Sequence, residues 1–394
     1  MPSLKTKPYL YFLALYALNN MILAVYGTFF PVYLAQAGYG QAAIGVLLAV
    51  GPLVTIAAQP FWGPAGDRAR SKNAVLLAAL LGSAAVLAAY RLSTSFAFLL
   101  VATALYTFFQ SPVLPMSDTV TLEYATEAGW RFGRIRLAGT IGYAVAAVLT
   151  GLAARRRVEN IFPLSLLAIV LTILAVLRLP GVRGHQAGEG RVPLRVLLRH
   201  RQLMLLMAFS SIVHATLGFY YSFFPVYCRQ MSADNALLGW STAITALSEV
   251  PFLLLAERIV KRVGIRGMLL ISAAVTAARW LLFYLAADPY LLLPLQVLHG
   301  AAYIVLTYCL ATYINAEVPK ELRASGQALH WLLTAGVARI IGSFGGGLLA
   351  SAVGIRAGFL IGSIVIGLAL LIFVPLFRRM EAREGAQPGL GSDL

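Results

Sequence analysis

The chain alternates long apolar runs with short polar breaks. The runs fall at about 9–36, 42–64, 73–91, 95–118, 137–154, 161–178, 202–228, 237–260, 267–287, 289–314, 325–350 and 356–377. Each is close to the ~20 residues an α-helix needs to cross a hydrocarbon layer ~30 Å thick. The pattern predicts an all-α polytopic membrane protein with twelve transmembrane helices. One interior stretch is different: Leu179–His200 carries Pro180, Pro193 and glycines 181, 184, 188 and 190, and reads as a polar cytoplasmic linker. It separates a first six-helix bundle, residues 1–178, from a second, residues 201–394, which ends in a short tail. The opening run Tyr9–Leu34 exceeds the ~7–15-residue core of a signal peptide, so it is expected to persist as a span.

The two halves repeat each other. Phe29-Phe30-Pro31-Val32-Tyr33 recurs as Phe223-Phe224-Pro225-Val226-Tyr227, and the same offset relates Tyr26 to Tyr220 and Ile44-Gly45 to Leu238-Gly239. A register held that far predicts two parallel six-helix pseudo-repeats, with a binding site between them near mid-membrane.

Composition agrees. Of 394 residues, 60% are hydrophobic and 12% charged, with a mean hydropathy of +0.80, whereas a soluble domain is about a quarter charged. The net charge of +16 does not indicate nucleic acid, because the basic residues are spread over short loops. With the N-terminus inside, 23 of them fall on the cytoplasmic side and six on the other, so both termini are expected in the cytoplasm and the protein in the cytoplasmic (inner) membrane as a multi-pass monomer among lipids. Arg155, Arg156 and Arg157 fall on the outer side against this trend. Cys228 and Cys309 lie in or at the end of apolar runs and read as packing residues. No HExxH, GxSxG or CxxC arrangement and no loop long enough to fold argues for an enzyme, a metal or a cofactor.

The costly residues are the intramembrane ones. Glu249, Arg279 and His299 occupy three successive apolar runs, and a charge at a helix centre costs roughly 2.5–3.5 kcal/mol on the insertion scale, so such groups are read as functional. Two unit charges 4 Å apart interact by ~4 kcal/mol at an effective dielectric of ~20. Moving Arg279 relative to Glu249 would therefore change the acid's proton affinity substantially. His214, His330 and Arg339 also lie within apolar runs, and Gln296, Asn19 and Asn20 are candidate cavity amides. Glycines 342, 345, 346 and 347 suit close helix packing.

Three motifs carry a family resemblance. After the second run, Gly63-Pro-Ala-Gly-Asp67-Arg68-Ala-Arg70-Ser-Lys72 is similar to the loop signature of major facilitator transporters, with Arg70 in place of its second glycine. The resemblance implies a conformational latch formed by Gly63, Asp67 and Arg68. Next come Pro115-Met-Ser-Asp118 and Phe132-Gly133-Arg134-Ile-Arg136, with Tyr143 seven residues on. Then Ser248-Glu249-Val250-Pro251, Arg279 and Gln296-Val-Leu-His299-Gly300 follow. Together these resemble the major facilitator branch that holds the lactose permease type of proton symporter, the phenylpropionate permeases and the nucleoside symporters. The resemblance implies that Asp118 pairs with Arg136, that Tyr143 stacks on substrate, and that Glu249, Arg279, Gln296 and His299 bind substrate. It also implies that Glu249, Arg279 and His299 couple protons. Asp118, near a run's end, also fits a capping role. In the lactose type a carboxylate stands three residues beyond the histidine; here that position is Ala302, which transfers most of the coupling role to Glu249.

The expected function is secondary active transport of a small organic solute by alternating access, as proton-coupled symport of a small, aromatic carboxylate. Asp118 and Glu249 face Arg136, Arg279 and Arg339, an excess of positive charge that suits an anion, and Tyr220 and Tyr221 are placed to face its ring. The alternatives are a sugar, oligosaccharide or nucleoside proton symporter, an uncoupled facilitator or an efflux carrier; from other classes, a lipid flippase or a polytopic membrane enzyme.

Overall fold

A computed structural model describes residues 3–181, 197, 200–319 and 322–385. The linker expected at 179–200 lies almost wholly outside the described residues. Ten helices among those described are long and apolar enough to cross a membrane, and the bent pair Pro289–Leu295 and Gly300–Glu317 makes an eleventh. One of the ten, Asn235–Leu285, has 51 residues, about 75 Å at 1.5 Å per residue, more than twice a ~30 Å core. It breaks at Gly264, whose φ of 75° and ψ of 160° are open to glycine and strained for other residues. Counted as two crossings, it brings the total to the expected twelve. The first arm runs a few residues past its apolar run, to the break at Gly264, and the Lys261–Glu257 pair at one-turn spacing supports that end (2.8 Å).

The crossings meet in pairs that follow the sequence repeat. The fifth (Phe132–Ala154) packs along the first arm of Asn235–Leu285, and the second (Gln41–Gly66) along the eleventh (Ser325–Val353). At both contacts backbone meets backbone. A Cβ on Gly45 would lie 2.6 Å from the Ser343 carbonyl and 2.8 Å from Gly347 Cα, and one on Gly239 would lie 2.5 Å from the Ala147 carbonyl. Gly45 and Gly239 are the repeat-related glycines, so the register seen in sequence reports a shared need for close approach. Both contacts lie toward the same end of the bundle, the end carrying the turns after residues 36, 154 and 230. There Arg155 Nη2 pairs with Asp234 Oδ2 at 2.5 Å and Asn235 Nδ2 donates to the Ala154 carbonyl at 2.7 Å. That end is sealed.

Repeat-related aromatics also pack alike. Tyr26 and Phe30 stack at 4.6 Å, and Tyr220 and Phe224 sit at 4.9 Å. In the first half the neighbours of Tyr26 are Tyr90 and Tyr106, neutral phenols. In the second half the neighbour of Tyr220 is Arg279, and the site begins there.

Candidate functional site

The tenth crossing is not a continuous helix. Around Pro294 the amides of Gln296, Val297 and His299 bond three residues back, to Leu293, Pro294 and Gln296, and a π-helical turn follows at Gly300–Ile304. The two arms meet at 45°. This frees the Leu295 carbonyl from the helical ladder, and Arg279 Nε donates to it at 3.2 Å. The irregularity, invisible as hydropathy, makes the site.

Arg279 is fully buried. Its guanidinium also reaches Gln296 Oε1 at 2.5 Å and His299 Nδ1 at 3.0 Å, and it lies 4.4 Å over the ring of Tyr220. Gln296 Oε1 further accepts from the hydroxyls of Tyr220 and Thr245, both at 2.9 Å. Such multiple donation keeps a buried cation solvated by protein. Glu249 is not in contact with Arg279, contrary to the direct gating expected from the sequence. Its Oε1 lies 3.4 Å from His299 Nε2, so the imidazole stands between base and cation. The reason is a tight helix crossing one residue away: Gly300 N donates to Ser248 Oγ at 3.0 Å, and a Cβ on Gly300 would fall 2.1 Å from the Ser248 carbonyl. Adjacent positions on the two helices, Glu249 and His299, are thereby brought together.

Hydrogen-bond chemistry orders this chain. A guanidinium only donates, so His299 Nδ1 is the acceptor, and the neutral ring carries its proton on Nε2, facing Glu249 and the Tyr221 hydroxyl at 3.1 Å. A second proton would have to enter at Nδ1, where Arg279 sits. Protonation of His299 and its contact with Arg279 exclude each other.

Tyr221 links this relay to a cavity of about 450 Å³ lined by Thr28, Tyr143, Thr242, Tyr303, His330 and Arg339, among others. Arg339 lies 4.5 Å over the Tyr221 ring, the partner the sequence did not supply. π-helical segments at Leu332–Ala338 and Ile341–Gly345 flank Arg339 on the eleventh crossing. His214 and His330, 6.3 Å apart, complete one wall.

Other expected site residues lie apart. Asp118 accepts from the hydroxyl of Tyr16, whose ring packs edge-on to Phe132, while Arg136 lies on the exposed side of its helix and forms no ion pair to it, so the expected Asp118–Arg136 pairing is not formed. Tyr143, two helical turns from Arg136 on the same face, does line the cavity. Asn19 bonds Ser117 at 2.9 Å and Asn20 the Tyr16 carbonyl at 2.9 Å, which makes them helix-packing amides. Of the latch residues, Gly63 lies within the second helix and Arg68 caps it exposed, while the Asp67 side chain is outside those described. Lys72, largely buried, makes the ion pair in this region, to Glu123. Arg70 needs no glycine-like backbone: among the described residues the non-glycine with positive φ is Ser232.

A bundle of twelve crossings in two repeated halves, with a cavity between them lined by polar and charged side chains, is the architecture of the major facilitator transporters. The chain belongs to the MFS_1 like family, whose profile matches residues 15–361. It is 30% identical over 374 residues, 92% of this chain and 94% of the relative, to a maltose permease of Geobacillus stearothermophilus. It is 25% identical over 308 residues, 75% of this chain and 80% of the relative, to a probable 3-phenylpropionic acid transporter of Escherichia coli K12. A crystal structure of the nucleoside transporter NupG superposes with a TM-score of 0.84 at 19% identity, covering 94% of this chain and 98% of that one. The protein is a multi-pass membrane transporter, not an enzyme.

Proposed function

We propose that this transporter is a proton-coupled symporter that imports a small ring-bearing, hydroxyl-rich solute of the sugar or glycoside class. The observation that carries the coupling is the unbroken path from cavity wall to titratable group: Arg339 over Tyr221, Tyr221 to His299, and His299 between Glu249 and Arg279. A solute that engages Arg339 or Tyr221 shifts the hydroxyl on which His299 leans, and so changes the field at Glu249. Glu249, with 29% of its side chain exposed, is the member that water can reach, and it is assigned the proton. The threonine hydroxyls of the cavity, its tyrosine rings and its guanidinium suit vicinal diols and a sugar face, and the maltose relative supports that class.

A second reading, the aromatic carboxylate expected from the sequence, is favoured by one observation: Arg339 is the permanently charged side chain in the described lining, and the phenylpropionate relative agrees with it. The positive-inside distribution supports both termini in the cytoplasm, the sealed end outside and an inward-facing state, with two six-crossing bundles moving about the cavity. The protein acts in the inner membrane as a monomer surrounded by lipid.

Thermal protection across maltose, nucleosides and aromatic carboxylates assigns the class, because binding raises stability by mass action. Accumulation in proteoliposomes under an imposed pH gradient tests coupling. Glu249→Gln is expected to keep solute exchange and lose gradient-driven accumulation; unchanged accumulation overturns the assignment.

A further inference from the structure

The arginines on the sealed end are not scattered. Of the six basic residues that the charge distribution places on that side, five line one cavity of about 620 Å³: Arg91, Arg155, Arg156, Arg157 and Arg229. The cavity lies at the interface of the halves, because Arg91 and Arg155–Arg157 end helices of the first and Arg229 ends the opening helix of the second. Helix C-termini accommodate single cations, which explains why arginine is tolerated there. They do not explain five in one hollow. Two carboxylates answer them, Glu159 in the lining and Asp234, and Asp234 is engaged by Arg155 through Nη2 at 2.5 Å and Nε at 2.7 Å. Among the described residues Arg91, Arg156, Arg157 and Arg229 form no ion pair. Three positive charges are left in excess at a place where the halves must close against each other.

We propose that this hollow is an anion site that takes a phosphate group and clamps the sealed end. Guanidinium forks match phosphate oxygens in pairs, and a dianion held between Arg156, Arg157 and Arg229 turns mutual repulsion across the interface into attraction. Asn235, buried in the same lining, donates from Nδ2 to the Ala154 carbonyl at 2.7 Å, which ties the two halves together beneath the arginines. The lining of this hollow shares no residue with that of the central cavity, and the site is independent of which solute is carried there. The phosphate can be a free anion or belong to an anionic phospholipid of the facing leaflet.

The test uses the full chain, purified in neutral detergent and in nanodiscs. In detergent, inorganic phosphate is titrated against chloride at matched ionic strength and the unfolding temperature is read. A saturable rise of about 2 °C or more with phosphate, abolished in Arg157→Gln/Arg229→Gln, supports the free anion. No response to phosphate, but a higher Tm in phosphatidylglycerol than in phosphatidylcholine nanodiscs that the double variant removes, supports the headgroup. The double variant's own Tm in phosphate-free detergent is expected to stay level or rise, since like charges are removed; a fall assigns the arginines a structural role and overturns the proposal. So does an equal response to chloride, or a phosphate or lipid response that survives in the variant.

Discussion

Gly300→Ala tests the geometry that brings Glu249 to His299. The added methyl would lie 2.1 Å from the Ser248 carbonyl oxygen, 2.6 Å from its carbon and 2.7 Å from Phe252 Cδ2. Ordinary contact begins near 3.4 Å, so the eighth and tenth crossings must separate by about 1.3 Å at this point. Backbone is what must give, and neither helix can swing a flexible end aside. The shift stretches the Gly300 N to Ser248 Oγ bond from 3.0 Å beyond hydrogen-bonding range. It also takes the Glu249–His299 contact from 3.4 Å out of reach. Overpacking costs about 1–3 kcal/mol and the lost bond about 1 kcal/mol. The expected Tm fall is therefore several degrees, with pH-gradient-driven accumulation lost while solute exchange persists. Ser248→Ala, which removes the hydroxyl without moving backbone, is the control: it should lose about 1 kcal/mol and retain coupling. A Gly300→Ala protein with wild-type Tm and wild-type gradient response refutes the crossing argument.

Four further outcomes follow from the same contacts. Tyr221→Phe keeps the ring under Arg339 but removes the hydroxyl at His299, so solute protection from unfolding should persist while accumulation falls about three- to tenfold; equal losses in both would place Tyr221 in binding alone. Arg279→Lys cannot reproduce a fork that serves Leu295, Gln296 and His299 together, and should cost about 3 kcal/mol of stability and abolish uptake; a normal denaturation midpoint would contradict the buried network. Gly45→Val forces the second and eleventh crossings apart at Ser343 and Gly347, and should raise labelling of a Thr28→Cys thiol by a membrane-impermeant reagent from the sealed side; unchanged labelling would show the seal lies elsewhere. Asp234 lies outside the spans. Burial pushes its pKa up, but the Leu237 amide and Arg155 outweigh that and hold the carboxyl below its ordinary value. Its contribution to stability is thus complete above the usual carboxylate range near ~3.9 and is lost only as pH falls through the lower folded value. Asp234→Asn should leave the shape of the transport profile between pH 5 and 8 unaltered.

The sequence disclosed what depends on periodicity and burial cost. Twelve apolar runs, a repeat that puts Gly45 and Gly239 at matching close contacts, and the ionisable residues Glu249, Arg279 and His299 in three successive runs are all legible because the solvent is lipid. Order within the charged cluster was not legible. Spacing puts His299 near both Glu249 and Arg279, but only the hydrogen-bond break around Pro294 and the Ser248–Gly300 crossing insert the imidazole between them. The Asp118–Arg136 pairing is absent for a related reason: a motif on two helices does not say which way Arg136 faces, and here it lies on the exposed side while Tyr16, on a third helix, donates to Asp118. Arg155 looked anomalous because its partner, Asp234, lies across the fold. A lone loop charge cannot reveal that.

The bend in the tenth crossing has a mechanical meaning. A straight helix transmits displacement along its axis, so a push at one membrane face would arrive at the other nearly intact. Here the rod is jointed between Leu295 and Gly300, where bonds three residues apart give way to a π turn. The two arms can tilt separately, and the residues at the joint turn rather than slide. His299 is the last residue before the π turn. A small change of angle at either mouth of the carrier therefore reaches the imidazole as rotation, and rotation is what decides whether its two nitrogens face Arg279 and Glu249 or neither.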